Sequence, residues 1–222
     1  SDGGYIVGGD FKSRSIDLEN GISLTNKKIY IDDDNGMIIK YSSEGEIEWA
    51  KSIGKGDNKV TSVAESRDGG YIAGGYFNSD SIDLGNGISL TDKGSGDGMV
   101  IKYSQDGEAQ WAQGIGGSSE DKITSVVESS DGGYIVGGYF NSNSIDLGNG
   151  ISLTNKGCSD GMVIKYSQDG EVEWTQGIGG DLYDNIRSVA ESRDGGYIVG
   201  GSFNSDSIDL GNGISLTKKG YN

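Results

Sequence analysis

The sequence predicts an all-β protein made of repeated four-stranded antiparallel sheets, and three observations support that prediction. The phrase DGGYI recurs at spacings of 66, 63 and 63 residues, with its Asp at Asp2, Asp68, Asp131 and Asp194. Three tryptophans keep nearly the same period, at Trp49, Trp111 and Trp174. No segment has the apolar spacing of an amphipathic helix. A fixed period indicates one unit that buries its faces only against copies of itself.

The third unit shows the predicted strands in order. ITSVVE at 123–128 is a β-branched run, and YIVGGYF at 134–140 follows it after the turn SSDGG. MVIKY at 162–166 and VEWTQ at 172–176 are joined by the turn SQDG. Because Asp-Gly supplies the positive φ angles of a tight hairpin turn, the four segments are predicted to form an up-and-down meander. Residues 141–161 are interpreted as one long connection between the second and third strands.

The pattern of apolar residues indicates how these sheets are arranged. In the second strand Tyr134, Ile135 and Val136 place apolar groups on both faces, which predicts a sheet covered on both sides. The fourth strand carries Glu173 and Gln176 and is expected to be partly exposed. Radial stacking of blades produces this gradient. The predicted fold class is therefore a β-propeller with four-stranded antiparallel blades of about 63 residues, about 3.5 of them in this chain, which makes an incomplete ring.

The whole chain, residues 1–222, is interpreted as a single partial propeller. Its blade units fall at about 1–57, 58–119, 120–182 and 183–222, the last of them incomplete. Joining the two ends within one chain would give three blades and a spare strand, fewer than the four that propellers need. We therefore expect either a longer chain that completes the ring or a homodimer, whose two-fold axis would give an even number of blades.

The order of motifs within a unit resembles a known repeat. The third unit has the IxSV strand ITSV, then DGGYIVGG, the segment SIDLGNGISLT, then DGMVIKY, and QDGEVEW before GIGG. This order resembles the repeat of bacterial surface and secreted proteins that is often called the seven-bladed β-propeller repeat, and the likeness covers the whole chain. The resemblance implies an exported or wall-associated bacterial protein with an extracellular or cell-surface location. It implies no general enzymatic activity.

Composition narrows the classes of function. Eighteen Lys and Arg residues against 34 Asp and Glu give a formal charge of −16, which argues against nucleic acid and anionic membranes as partners. The chain has no His, which removes Ser-His-Asp and Cys-His nucleophiles and imidazole metal sites. No run of about 18 apolar residues is present, so no membrane insertion is expected. Cys158 has Ser95 at its position in the preceding unit and is interpreted as incidental.

The loops at one face of the predicted blades are the candidate binding site. In an up-and-down blade the tight turns leave by one face, and here they are nearly invariant, whereas the loops at the other face differ between units. Loops on a rigid scaffold usually carry binding. The predicted binding residues all lie in these loops and are Asp32, Asp33, Asp34, Asp181, Tyr183 and Asp184. The alternative is a set of solvated acidic loops without a ligand.

Other recurring residues are predicted to have structural roles. The three tryptophans are expected to pack blade against blade. The Asp of each SIDL phrase is expected to cap a turn or pair an edge, at Asp17, Asp83, Asp146 and Asp209. The loop at 32–36 is rich in oxygen ligands but fails the spacing of a calcium-binding loop. We therefore expect no cofactor, with peripheral Ca²⁺ binding at that loop as the alternative.

Together these observations favour a non-enzymatic binding or scaffold module that takes a protein or a glycan ligand. Two alternatives stay open. One is a hydrolase or lyase that acts on a polysaccharide with paired loop carboxylates, about 5 to 10 Å apart. The other is a purely structural spacer.

Overall fold

The computed structural model describes residues 3–26 and 33–220, which are almost entirely strands and turns. The first repeat contains a short 3₁₀ turn at Glu19–Gly21 and strands β1 (Tyr5–Phe11), β2 (Ser15–Asp17), β3 (Ser23–Thr25), β4 (Asn35–Tyr41) and β5 (Ile47–Ile53). The second contains β6 (Asp57–Glu65), β7 (Tyr71–Asn78), β8 (Ser81–Gly85), β9 (Ile88–Thr91), β10 (Asp97–Tyr103) and β11 (Ala109–Ile115). The third contains β12 (Asp121–Glu128), β13 (Tyr134–Phe140), β14 (Ser144–Asp146), β15 (Ser152–Thr154), β16 (Asp160–Tyr166) and β17 (Val172–Ile178). The fourth contains β18 (Asp184–Glu191), β19 (Tyr197–Phe203), β20 (Ser207–Asp209) and β21 (Ser215–Thr217).

Each repeat forms one main antiparallel sheet. The second sheet has the order β6-β7-β10-β11 and the third β12-β13-β16-β17, so both are four-stranded meanders. The first sheet is β1-β4-β5 and the fourth is β18-β19 within the described residues. The predicted fold class, all-β with repeated antiparallel blades, is confirmed. The register also repeats, because Tyr71 lies opposite Tyr103 in the second sheet and Tyr134 lies opposite Tyr166 in the third.

The connection predicted over residues 141–161 contains a further hairpin, which corrects the interpretation of this segment as one long loop. β14 pairs with β15, and Ile145 lies opposite Leu153. At the turn Gly148, Asn149 and Gly150 have φ angles of 85°, 53° and 76°, the left-handed region that Gly and Asn adopt at least cost. The side chain of Ile145 is fully buried, so the hairpin covers the core. The other repeats have equivalent hairpins.

The Asp of the SIDL phrase caps this hairpin turn. Asp146 Oδ1 accepts a hydrogen bond from Gly148 N at 2.9 Å. Asp83 and Asp209 accept the equivalent bonds at 2.9 and 2.8 Å. Such short-range bonds from Asp to the backbone stabilise turns. The predicted structural role is confirmed at these three positions.

Consecutive sheets pack face to face, and glycines make the close approach possible. A methyl group added to Gly74 would lie 2.5 Å from Val126 Cγ1 and 2.8 Å from Ile123 Cγ2. At Gly137 the distances to Val189 Cγ1 and Ile186 Cγ2 would be 2.6 and 3.0 Å. Any side chain larger than hydrogen would push the sheets apart. The strands β7 and β13 are accordingly buried on both faces.

The tryptophans pack against the sheet that follows their own. The Trp111 ring lies 5.8 Å from the Tyr134 ring and 6.1 Å from the Tyr166 ring, and its Nε1 donates to the carbonyl of Gln168 at 2.9 Å. Trp49 makes the equivalent contacts one repeat earlier. Trp174 lies 5.9 Å from the Tyr197 ring but is 39% exposed. Packing between blades is therefore confirmed for the first two tryptophans, and Trp174 is covered only in part.

Candidate functional site

The loops that differ most between repeats lie at one end of the sheets, here called the loop end. Three loop clusters form the loop end. Each cluster joins the loop before one strand (β4, β10 or β16) to the loop after the next strand of the same sheet (β5, β11 or β17). The first cluster consists of residues 33–34 and 54–57, the second of 92–96 and 116–120, and the third of 155–159 and 179–183. One equivalent backbone hydrogen bond closes each cluster, namely Asn58 N to Asp34 O at 3.0 Å, Asp121 N to Gly96 O at 2.9 Å, and Asp184 N to Ser159 O at 2.8 Å. The loops are thereby fixed to the sheets.

Asp184 and its equivalent Asp121 hold two of these clusters from inside. Asp184 is 1% exposed, and its carboxylate accepts hydrogen bonds from Gly180 N, Asn204 N and both Ser205 N and Oγ, at 2.6 to 3.2 Å. Asp121 accepts the same four bonds from Gly117, Asn141 and Ser142. A carboxylate with four donors has its acceptor capacity filled within the protein. Among the predicted binding residues, Asp184 therefore supports the loop and does not reach the surface.

A second buried acid lies beside the anchor of the second cluster. A methyl group added to Gly116 would lie 2.2 Å from Asp97 Oδ1 and 2.9 Å from Asp121 Oδ2, so the two carboxylates are close neighbours. Asp97 Oδ2 accepts a hydrogen bond from Lys93 N at 3.0 Å, while its Oδ1 has no hydrogen-bond partner. Burial, with smaller contributions from neighbouring carboxylates, raises the pKa of Asp97 to about 6.

The first repeat carries an amide at the same place. Asn35 lies opposite Phe11, as Asp97 lies opposite Phe77, and its Nδ2 donates to the carbonyl of Gly54 at 3.3 Å. The position therefore accepts a neutral side chain that donates to this carbonyl. Replacing Asp97 by Asn reproduces that arrangement in the second repeat.

The Asp97→Asn variant is expected to unfold with a free energy about 1 to 2 kcal/mol higher than wild type above pH 6. The pKa of Asp97 in the folded chain lies above its ordinary value of 3.8, so the folded state binds the proton more tightly. The cost of the buried charge is absent below about pH 4 and complete above about pH 6, so the difference should vanish in acid. Urea unfolding of both chains below about pH 4 and above about pH 6 measures this difference in the free energy of unfolding. The exposed Asp106→Asn is the matched control, and a less stable Asp97→Asn at neutral pH would contradict the account.

In the first cluster, two lysines lie beside Asp34. Asp34 is 5% exposed, and its carboxylate lies 2.7 Å from Lys59 Nζ and 3.7 Å from Lys12 Nζ. The hydrogen bond to Asp34 raises the pKa of Lys59 above its ordinary value, which keeps this lysine charged. Asp33 is half-buried, and Asp32 lies outside the described residues. These lysines neutralise Asp34 and would compete with any cation for it.

The third cluster presents large side chains to solvent. Tyr183 is 55% exposed and Leu182 is 41% exposed, and Asp181 beside them is exposed as well. Their backbone is nevertheless held on both sides. Leu182 N donates to Ser205 Oγ at 2.9 Å, and the carbonyls of Leu182 and Tyr183 accept hydrogen bonds from Ser159 N and Asn204 N at 3.1 and 3.0 Å. A fixed backbone under exposed side chains loses little entropy when a ligand binds.

The structure thus divides the predicted binding residues between two clusters. Asp181 and Tyr183 reach solvent in the third cluster, while Asp33 and Asp34 belong to the first, with the second cluster between them. Leu182 was not among the predicted binding residues, although a comparison of the repeats could have identified it. The aligned loop of the second cluster has Ser119 and Glu120 where the third has Leu182 and Tyr183, so two polar residues are replaced by a neighbouring aliphatic and aromatic pair.

In residues 3–26 and 33–220, no group of three or more His, Cys, Asp or Glu side chains is arranged to hold a metal ion. In the same described part of the chain, no helix is long and apolar enough to cross a membrane.

The fold and the loop end define an all-β repeat protein that carries variable loops on nearly identical sheets. No family model matches the chain. A regulatory protein of Caulobacter vibrioides, FlaEY, is 28% identical over 172 residues, which covers 74% of this chain and 18% of that protein. An uncharacterised WD repeat-containing protein of Acanthamoeba polyphaga mimivirus is 26% identical over 141 residues, 61% of this chain and 10% of that protein. The chain therefore spans less than a fifth of either relative, and the second name agrees with a propeller-like repeat fold.

Among solved structures, a protein of unknown function from Bacteroides caccae matches with a TM-score of 0.47 and 15% identity. The match covers 83% of this chain and 55% of that chain.

Proposed function

We propose that the chain is a non-enzymatic interaction module that binds a protein or glycan ligand at its third cluster. The observation that carries the proposal is the exposed pair Leu182 and Tyr183 on a backbone held by hydrogen bonds. Tyrosine is enriched in binding surfaces because its ring offers contact area and its hydroxyl a hydrogen bond, at little cost in conformational entropy. Asp181 adds an acceptor for ligand hydroxyl or ammonium groups.

The charge of the chain limits the ligand. A formal charge of −16 repels acidic partners and attracts basic ones over the range set by ionic strength. The proposed ligand is therefore a neutral glycan or a protein surface with basic and apolar groups. Nucleic acids and anionic membranes fall outside this class for the same reason.

The buried acids support a non-enzymatic role over the alternative of a polysaccharide hydrolase. The acid pairs at the loop end, Asp97 with Asp121 and Asp160 with Asp184, are 0 to 1% exposed. A glycoside hydrolase needs its two carboxylates on either side of a bound sugar, one of them as acid and one as base or nucleophile. The anchors Asp121 and Asp184 instead accept four hydrogen bonds each from their own loops.

We extend the proposal to the setting of the chain. The order of DGGYIVGG, DGMVIKY and QDGEVEW supports membership in the bacterial seven-bladed propeller repeat family and with it an extracytoplasmic location. Cell fractionation of the source organism, with an antibody against this chain, tests the location. Recovery only with cytoplasmic proteins would overturn it.

Replacing Tyr183 by Ala is expected to weaken ligand binding at least about tenfold, because a central exposed aromatic contributes a large share of the energy at such sites. A glycan array and a pull-down with immobilised chain identify the ligand, and titration calorimetry measures its affinity. Tyr183→Phe separates the contribution of the ring from that of the hydroxyl. Ile214→Ala, which alters a 59% exposed side chain on the β20–β21 hairpin, is the matched control. A chain that binds nothing in either screen would favour the structural spacer, and equal loss in the control would place the site elsewhere.

A further inference from the structure

The fourth sheet has an open edge where the second and third sheets have a strand. β7 and β13 each pair with two neighbours, whereas β19 pairs only with β18 within the described residues. Beside β19 lies a groove of about 530 Å³ lined by apolar side chains, among them Ile178, Val199 and Leu216. In the complete sheets β10 and β16 fill this place, with the sequence DGMVIKY and every residue buried. The groove therefore has the shape and the unpaired backbone for one strand of that type.

The face of the fourth sheet is open in the same way. Ile198 is 65% exposed, whereas Ile72 and Ile135 at the equivalent positions are fully buried against the next sheet. A methyl group on Gly200 would meet nothing within 4 Å, although one on Gly74 or Gly137 would collide with side chains of the following sheet. Within residues 33–220, the fourth sheet therefore has neither a third strand nor a following sheet.

The first sheet is open in the complementary way. β1 pairs with β4 but with no strand on its other side in the described residues, and Tyr5 and Val7 are 64% and 42% exposed. In the complete sheets, the tryptophan of the preceding blade lies over a glycine in the β10–β11 or β16–β17 turn. A methyl group added to Gly107 would lie 2.8 Å from Trp49, and one added to Gly170 would lie 2.7 Å from Trp111. The equivalent Gly45 has nothing within 4 Å, while Trp174 is 39% exposed.

The strands β1 and β19 are almost interchangeable. β1 reads YIVGGDF and β19 reads YIVGGSF, so they differ only at Asp10 and Ser202. β1 pairs with β4 from Tyr5 opposite Tyr41 to Phe11 opposite Asn35, the register that β13 and β16 also use. β19 can therefore form the same ladder with β4 that β1 forms. It would bring β18 with it, so the resulting sheet would have four strands instead of three.

We propose that two copies of this chain assemble by strand exchange, in which β18 to β21 of one copy replace β1 to β3 beside β4 and β5 of the other. Tyr197 would then lie opposite the partner copy's Tyr41, and Trp174 would cover the partner copy's Gly45. The backbone hydrogen bonds lost by β1 are recovered by β19, and the added stabilisation comes from burying Ile198, Trp174 and the groove. Exchange of nearly identical elements is a low-cost route to dimers.

The blade count favours exchange between two copies over exchange within one chain. Exchange within one chain would make a ring of three sheets, below the four to eight blades that propellers contain. Reciprocal exchange between two copies yields two hybrid sheets in total. Each copy also contributes its own two complete sheets, which gives a ring of six. The formal charge of −16 per copy opposes association, so the proposal also expects tighter assembly at higher salt.

Light scattering and sedimentation equilibrium test the proposal on the intact chain, with a dimer of twice 23.3 kDa expected. Gly200→Val should abolish the dimer, because in the hybrid sheet the new side chain would collide with the partner copy's Val60 and Val63. At the equivalent Gly8, an added methyl group would lie 2.5 and 2.8 Å from these two valines. It should leave the monomer folded, as judged by circular dichroism. Ser202→Val is the matched control on the same strand and should dimerise, because Tyr76 and Tyr139 occupy its position in complete sheets. A monomeric wild-type chain, or a dimer that survives Gly200→Val, would overturn the proposal.

Thiol cross-linking tests the register independently, in a Cys158→Ser background. With Ile39→Cys and Val199→Cys, a short bifunctional reagent should join two chains, because the exchange places these residues opposite each other as Val7 and Ile39 are placed in β1 and β4. With Val7→Cys and Ile39→Cys, the dimer should give few intrachain cross-links, because the exchange removes β1 from β4. Intrachain cross-links in the second variant together with no cross-linked dimers in the first would show that β1 stays in place and would refute the exchange.

Discussion

Replacing Asp121 by Ala is expected to lower the free energy of unfolding by about 4 kcal/mol. The carboxylate accepts four hydrogen bonds from Gly117, Asn141 and Ser142 in a site with no solvent exposure. Each buried donor left without an acceptor costs about 1 to 3 kcal/mol. Burial raises the pKa of Asp121, so its charge already carries a desolvation cost that the variant removes. The net loss is therefore smaller than the sum of the four bonds.

Equilibrium unfolding in urea at neutral pH measures this loss. Asp146→Ala is the matched control, because it removes an exposed carboxylate that accepts one hydrogen bond from Gly148 N. The control should change stability by no more than about 1 kcal/mol. Equal effects of the two substitutions would show that the loop end is not held by its buried acids.

Replacing Gly138 by Ala is expected to lower the free energy of unfolding by about 3 kcal/mol. The new methyl group would lie 2.1 Å from the carbonyl oxygen of Lys122 and 3.1 Å from the Cα of Ile123. Both atoms belong to the backbone of β12, so no side-chain rotation relieves the collision and the strands must separate. This glycine is needed for close approach between strands, a role that Gly75 and Gly201 share in the second and fourth repeats.

The control for this prediction is Gly177→Ala on β17. A methyl group there would lie 3.5 Å from Leu153 Cδ2, an ordinary contact with a flexible side chain. Thermal and urea unfolding should show a change within about 0.5 kcal/mol for the control. If Gly138→Ala were as stable as wild type, the pairing of β12 with β13 would have to be looser than the structure shows.

Local signals predicted most of the strands. The predicted segment 134–140 coincides with β13, and 123–128 lies within β12, because Asp-Gly turns and β-branched runs act over a few residues. The β14–β15 hairpin was missed although its signal was present. Ile145, Leu147, Ile151 and Leu153 alternate with polar residues on either side of Gly-Asn-Gly, which is a hairpin pattern.

The candidate site was predicted less completely. The sequence identified the variable loops, but Asp34 and Tyr183 looked equally available there. Asp34 is buried against Lys59, and Asp184 against Ser205, contacts that join residues more than 20 positions apart. Tyr183 lies only one residue from Asp184 and yet reaches solvent. No local pattern distinguishes these outcomes, because exposure depends on which segment, distant in the sequence, covers the loop.

The amino-acid sequence alone determined the repeat, the order of its strands and the positions of its tight turns, since each depends on the conformational preferences of adjacent residues. Tertiary structure alone decided which acids serve as internal anchors, which side chains of the loop end meet solvent, and which sheet edges stay unpaired. Those outcomes depend on contacts between residues far apart in the sequence, and such contacts are set by how the strands pair and the sheets stack.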